Sequence, residues 1–207
     1  MAEKTLYFVL DPMCSWCWGF APVIETIRDN YADCYEIIPV MGGLRREGEM
    51  VWNDAAKAYL QNHWRKVAET TGQPFDESLF EKEHFNYDTY PACKAVVTVR
   101  ELLGTEAAFA YLHKIQHAFY AQGIDITNPR LLQGFYEQLF GNSGKFAFFF
   151  LSERAEVLTE HDFAKARSMG ATAFPSVVVV DESGHMVCQK GYQNTASLES
   201  FLKEAHA

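Results

Sequence analysis

Positive charge is scarce in this 207-residue chain: 18 Lys and Arg stand against 27 Asp and Glu, for a formal charge of −9. That balance leaves no electrostatic footprint for nucleic acid backbones or anionic lipid, so neither nucleic acid nor a membrane is an expected partner. No apolar run approaches the roughly eighteen residues that span a bilayer. TLYFVL at residues 5–10 is too short for the hydrophobic region of a signal peptide. The expectation is a soluble, cytoplasmic protein. Cysteine is sparse too, with five positions (Cys14, Cys17, Cys34, Cys93 and Cys188) that are odd in number and widely spread. This excludes the dense, even framework of a small disulfide-stapled domain. Repeats and low-complexity segments are absent. What the chain does have is apolar residues, 48% of the total, enough to build a core without staples.

The β-branched and aromatic run TLYFVL stops at Asp11-Pro12 and predicts a short buried strand. A helix is expected from about Cys14 through APVIETIRDNY, with Val23, Ile24 and Ile27 inward and a kink at Pro22. YEIIPVMGGL at 35–44 reads as a second strand, completing a βαβ unit. From Arg45 to about Gly170 the spacing turns helical. The clearest case is PACKAVVTVRELL, where Ala92, Ala95, Val96, Val99, Leu102 and Leu103 share one face. After Gly170, SVVVV predicts a buried strand, HMVCQ its antiparallel neighbour and SLESFLKEAHA a closing helix. A βαβ half, a helical insertion and a ββα half are the parts of an α/β, thioredoxin-like fold. The sheet domain would comprise residues 1–44 and 170–207, and the all-helical insertion domain 45–169.

The motif Cys14-Ser15-Trp16-Cys17 falls where that first helix begins. Residues i and i+3 on a helix face the same way, so a small adjustment of the first turn can close a disulfide. The unpaired N–H groups and the helix dipole stabilise a thiolate at the first cysteine. A thiolate so held is also a good leaving group, which favours rapid resolution of mixed disulfides. Cys14 is therefore the expected nucleophile and Cys17, a turn deeper behind Trp16 and Trp18, the resolving thiol. A zinc site needs a second ligand pair, and none is present; His113 and His117 have ligand spacing but are expected on a solvated face. No metal or cofactor is expected. Cys34, Cys93 and Cys188 read as small buried residues. Cys93, on an inserted helix, is the one placed to fold over the site as an auxiliary thiol. KFAFFF at 145–150 reads as packing within the insertion.

These residues resemble the DsbA-like family of the thioredoxin superfamily, in particular its cytoplasmic branch of FrnE-type dithiol oxidoreductases. The resemblance covers nearly the whole chain and rests on FVLDPMCSWCWGFAP, VMGGLR, GIDITNP and DFAKARSMGATAFPSVVVV. It implies that Pro175 is the cis-proline packed against the cysteine pair. By the same resemblance, the backbone of Phe174 pairs with an extended substrate, in a β-augmentation contact. Ser15 and Trp16 would flank the substrate and tune the redox potential. Two departures stand out. Phe8 occupies the place six residues before the first cysteine where relatives bury an acid, leaving Asp11 as the local candidate to accept the Cys17 proton or to cap the strand end. Bulky Phe174 stands where smaller residues are usual, which implies a narrower groove.

The chain is thus expected to exchange disulfides with client proteins or small thiols, glutathione among them, as a protein disulfide oxidoreductase or isomerase. Two alternatives stand beside this. One is a glutathione-dependent transferase or isomerase of the kappa-class or chromene carboxylate type, which GGL after the second strand also resembles. The other is a non-catalytic peptide-binding holdase. The Ser-Trp dipeptide leaves the direction of electron flow open.

Overall fold

The computed structural model describes residues 4–46, 48 and 50–205. Both ends of the expected sheet domain, residues 1–3 and 206–207, lie outside the described residues, as do Glu47 and Glu49 of the expected insertion.

Four strands form one mixed sheet in the order β2-β1-β3-β4: β1 (Thr5–Leu10), β2 (Glu36–Met41), β3 (Ser176–Val180) and β4 (Met186–Lys190). β1 pairs in parallel with β2 and antiparallel with β3, and β3 pairs antiparallel with β4. Parallel pairing requires a crossover, supplied by α1 (Ser15–Tyr31). Five longer helices and two short helical pieces lie between β2 and β3 among the described residues. They are α2 (Asp54–Thr71), a 3-10 turn (Glu77–Glu81), α3 (Tyr90–Leu103), α4 (Thr105–Gln122), α5 (Pro129–Phe140), the seven-residue α6 (Gly144–Phe150) and α7 (Glu153–Ser168). The chain closes with α8 (Thr195–Glu204). This is a thioredoxin-like fold with a helical insertion between β2 and β3.

The side-chain alternation of the strands sorts the core into two faces. Leu6, Phe8, Leu10, Val177 and Val179 point into a large core shared with α1, α8 and the inserted helices. Val9, Val40 and Val178 point the other way, onto Ala166 and Met169 of α7 and its end. α7 therefore covers the sheet directly, and it is tied there by charge as well as packing. Asp162 accepts the Met41 backbone N–H at 2.9 Å and two hydrogen bonds from Arg100 of α3 at 2.8 and 2.7 Å. Arg100 also donates to the Pro39 carbonyl at 2.6 Å.

Pro22 does lie within α1, as expected, and the helix runs on to Tyr31, so the missing N–H is a local loss that it tolerates. Several expected placements differ. Leu103 is exposed because α3 ends there, one residue before Gly104 turns the chain with φ +87°. In KFAFFF, Phe146 and Phe150 are buried but Phe148 is 82% exposed, since so short a helix has only one inward stripe. Cys34 is exposed in the turn after α1 and Cys188 is only half-buried on the edge strand, so neither is the fully buried residue expected.

Candidate active site

Cys14 is the N-cap residue of α1, with extended backbone angles, φ −94° and ψ 116°. Its carbonyl accepts the first helical bond, from Trp18 N at 3.0 Å, and its own N–H donates to the Asp11 carbonyl at 3.2 Å. The sulfur therefore sits where the unpaired amides of the first turn converge. It retains 6% of its surface, while Cys17, one turn deeper, has none. Burial pushes the Cys17 thiol well above the ordinary thiol range. The hydrogen bond to Cys14 and the proximity of its sulfur add to that, and a backbone hydrogen bond from Asp11 offsets part of it. The pair is thus asymmetric: one sulfur at the surface of a helix end, one protonated donor behind it.

The loop before β3 closes the site from above. The Phe174–Pro175 peptide is cis, and the Cys14 thiol donates to the Phe174 carbonyl at 3.5 Å. Phe174 itself packs against Gly42, where a Cβ would come within 2.2 Å of its ring carbons; Gly43, at φ +68°, is similarly covered by Phe163. The Gly-Gly after β2 therefore has a packing reason in this chain: it makes the bed on which Phe174 lies. Ser15 and Trp16 are half-exposed beside Cys14, with Trp16 resting on Tyr192 at 5.4 Å between ring centres.

Asp11 is fully buried near the pair, and the hydrogen bonds of its carboxylate are directed elsewhere than at Cys17. It accepts from Met13 N at 2.8 Å, Leu44 N at 2.7 Å and Thr89 Oγ1 at 2.8 Å, and from the Cys93 thiol at 3.4 Å. Burial raises its pKa above the ordinary 3.8 in spite of those donors. Its carboxylate thus joins three segments, the β1 end, the loop after β2 and the start of α3, while its charge is felt at Cys17. Cys93 is held in that same network, fully buried, and its thiol is pushed well up by burial and then by Asp11.

The sequence reading had no signal for the groups that face the pair from the insertion. A cleft of about 170 Å³ beside Cys14 is lined by Arg45, Tyr59, His63 and Tyr87 together with Trp16 and Phe174. Tyr59 and His63, at i and i+4 on α2, lie in contact with ring centres 4.2 Å apart and planes tilted by 43°. Arg45 lies over the Tyr87 ring at 4.8 Å, and Tyr87 in turn donates to the Met13 carbonyl at 2.8 Å. Nothing in one sequence says that the i, i+4 pair Tyr59 and His63 lands on residue 14. His113, expected on a solvated face, is exposed, and His117 is half-buried; both also flank buried Trp18, with ring centres 5.7 and 6.0 Å away. Among the described residues no group of three or more His, Cys, Asp or Glu converges to hold a metal ion, and no helix is long and apolar enough to cross a membrane.

A cysteine pair heading the first helix of a thioredoxin sheet, closed by a cis-proline loop and overhung by inserted helices, defines a thioredoxin-fold protein of the DsbA-like kind. The chain belongs to the thioredoxin family Thioredoxin_5, which it matches over residues 7–200. It is 33% identical to a candidate protein disulfide isomerase from Nitrosomonas europaea, over 97% of this chain and 96% of that one, with a TM-score of 0.89. The cytosolic disulfide reductase DsbM from Pseudomonas aeruginosa, solved also with GSH, shares the fold at 23% identity and a TM-score of 0.76 over 97% of this chain and 98% of that chain. A curated relative, the ClpXP adapter protein SpxH of Halalkalibacterium halodurans, is 24% identical over 135 residues, 61% of this chain and 42% of that protein. The chain thus spans about two fifths of that relative's length.

Proposed function

We propose that the protein is a cytoplasmic dithiol oxidoreductase of the FrnE-type branch that exchanges disulfides through Cys14 and Cys17, with small thiols such as glutathione among its partners. The observation that carries this is the asymmetry of the pair: Cys14 at the helix end and reachable, Cys17 buried, protonated and hydrogen-bonded to it. In the exchange, the Cys14 thiolate attacks one sulfur of a client disulfide, and the other client sulfur leaves as a thiolate. Cys17 then gives up its proton and attacks Cys14, which releases the client's second thiol. The client gains two electrons and the protein holds a Cys14–Cys17 disulfide. Two glutathione molecules reverse that oxidation and leave as glutathione disulfide.

Arg45 and His63 at the cleft suit the carboxylates of a glutathione-like thiol, and Phe174 with Pro175 offers backbone to an extended peptide. The family likeness to a disulfide reductase solved with GSH supports the same reading. A transferase has no use for a second thiol in contact with the first, so Cys17 favours exchange over the kappa-class alternative. The test is Cys17→Ser mixed with glutathione disulfide. A stable mixed disulfide confined to residue 14, with insulin reduction lost, is expected. Undiminished turnover in that variant, or glutathione attached at Cys34 alone, would falsify the proposal.

A further inference from the structure

We infer that Tyr87 of the insertion is a positioning residue for Cys14, because its hydroxyl holds the peptide unit from which the nucleophile's side chain hangs. That Cys14 is the nucleophile rests on the exchange proposed above; the hold on its backbone does not. The peptide unit between Met13 and Cys14 is gripped at both edges. Its N–H donates to the Asp11 carbonyl at 3.2 Å, and its carbonyl oxygen accepts from the Tyr87 hydroxyl at 2.8 Å. One residue earlier, the Met13 N–H donates to the Asp11 carboxylate at 2.8 Å. Turning that unit changes φ of Cys14, the angle that sets where Sγ lies relative to the unpaired amides of the first turn. Met13 is fully buried, so bulk water does not stand in for the hydroxyl.

Packing delivers the phenol to that place. The Tyr87 ring is buried and stands perpendicular to Phe85 and Phe119, with ring centres 5.6 and 5.9 Å away, while Arg45 covers it. Burial pushes the phenol above its ordinary 10, so it stays a protonated donor. Two residues further on, Thr89 donates to the same Asp11 carboxylate at 2.8 Å. One short segment before α3 thus reaches residue 13 twice, at its carbonyl directly and at its N–H through the acid, across 74 residues of chain in the case of Tyr87. Removing the hydroxyl leaves a buried carbonyl without its donor, and the peptide unit regains a partner only by turning. Both responses act against an ionised Cys14: a bare carbonyl dipole stays in the adjacent peptide, or Sγ swings away from the amides.

The test is Tyr87→Phe in the full chain, with Tyr111→Phe as a matched control. Tyr111 is as fully buried and donates to the Leu132 carbonyl at 2.8 Å, but its bond joins α4 to α5. Each variant loses one phenol-to-carbonyl bond and keeps its ring, so urea unfolding should show similar, modest losses. Alkylation of Cys14 by iodoacetamide is then followed by peptide mass across a pH series. In Tyr87→Phe the pH of half-maximal rate should move up by about half a unit or more, and in Tyr111→Phe it should stay within about 0.2 unit of wild type. The glutathione equilibrium should move with it. There the reduced pair gives two electrons to glutathione disulfide, closing Cys14–Cys17 and releasing two glutathione thiols, and a less stable Cys14 thiolate favours the closed form by about threefold or more. Coincident alkylation profiles for wild type and Tyr87→Phe overturn the inference, as does an equal displacement in Tyr111→Phe, which marks the effect as general loosening. Alkylation needs no exchange partner, so a wild type that fails to reduce insulin counts against the exchange chemistry alone, and the profiles still decide the role of Tyr87.

Discussion

At the scale of single residues, the site depends on what two small or buried groups refuse to accommodate. Gly42 has no room for a methyl group, since ring carbons of Phe174 occupy that space at 2.2 Å. Gly42→Ala must therefore lift Phe174 and with it the loop that meets Cys14. A cost of about 1–3 kcal/mol in urea unfolding is expected, with insulin reduction impaired beyond what lost folded protein explains. Asp11 carries the second constraint. Its folded pKa is raised by burial above the ordinary 3.8, so the native state holds this proton more tightly than the unfolded chain. The stability it contributes is complete below about pH 3.8 and is lost as pH rises through the folded value. Unfolding of wild type and Asp11→Asn across a pH series should show the wild type losing ground to the variant from that pH upward, and a flat difference would contradict the assignment. Cys14, Cys17 and Pro175 were legible from sequence because covalent spacing and the family motif mark them. Arg45, Tyr59 and His63 were not, because their relation to residue 14 exists only once the loop after β2 and α2 have folded back over the head of α1.

Between elements, the decisive joint is the one holding β2, α3 and α7 together. Asp162, 3% exposed at its side chain, receives both Arg100 nitrogens and the Met41 amide, so removing it strands a guanidinium and a backbone N–H at once. Asp162→Ala is expected to cost about 3–5 kcal/mol by chemical denaturation. Glu160→Ala on the same helix removes an ion pair with Arg46 whose partners are each 42% exposed, and should cost about 1 kcal/mol or less. Equal losses would mean that Asp162 is not the joint described. Periodicity made nearly every helix legible, and alternation made the strands so, because each pattern reports which face of an element is apolar. It does not report what covers that face. α7 therefore read as one more inserted helix although it packs on the sheet, and Phe148 read as core although α6 is too short to bury it.

For the molecule as a whole, the question is whether the sheet and the inserted helices melt as one body. A single apolar cluster runs from Leu6, Phe8 and Val177 in the sheet through Cys17 and Ile24 in α1 to Cys93, Val96 and Ile115 in the insertion. Sequence could mark where strands stop and helices begin, but it could not show that both stretches fill the same core, since a shared core is a property of contacts far apart in the chain. A continuous core of this kind implies cooperative loss, because neither half can expose its wall without uncovering the other. The cysteines are placed to measure it. Cys17 and Cys93 are both fully buried, one beneath the sheet-side motif and one in α3, whereas Cys34 is exposed. With a mass-tagged maleimide under native conditions Cys34 should label at once. Labelling of Cys93, and of Cys17 in a Cys14→Ser background, should wait for opening of the core. As urea is raised, both buried thiols should then label with the same free energy and the same denaturant slope, equal to those of global unfolding. A shallower slope for Cys93 would mean that the inserted helices open on their own. In that case the network from Asp11 to Thr89 and Cys93 would be a hinge between two bodies, rather than a bond inside one.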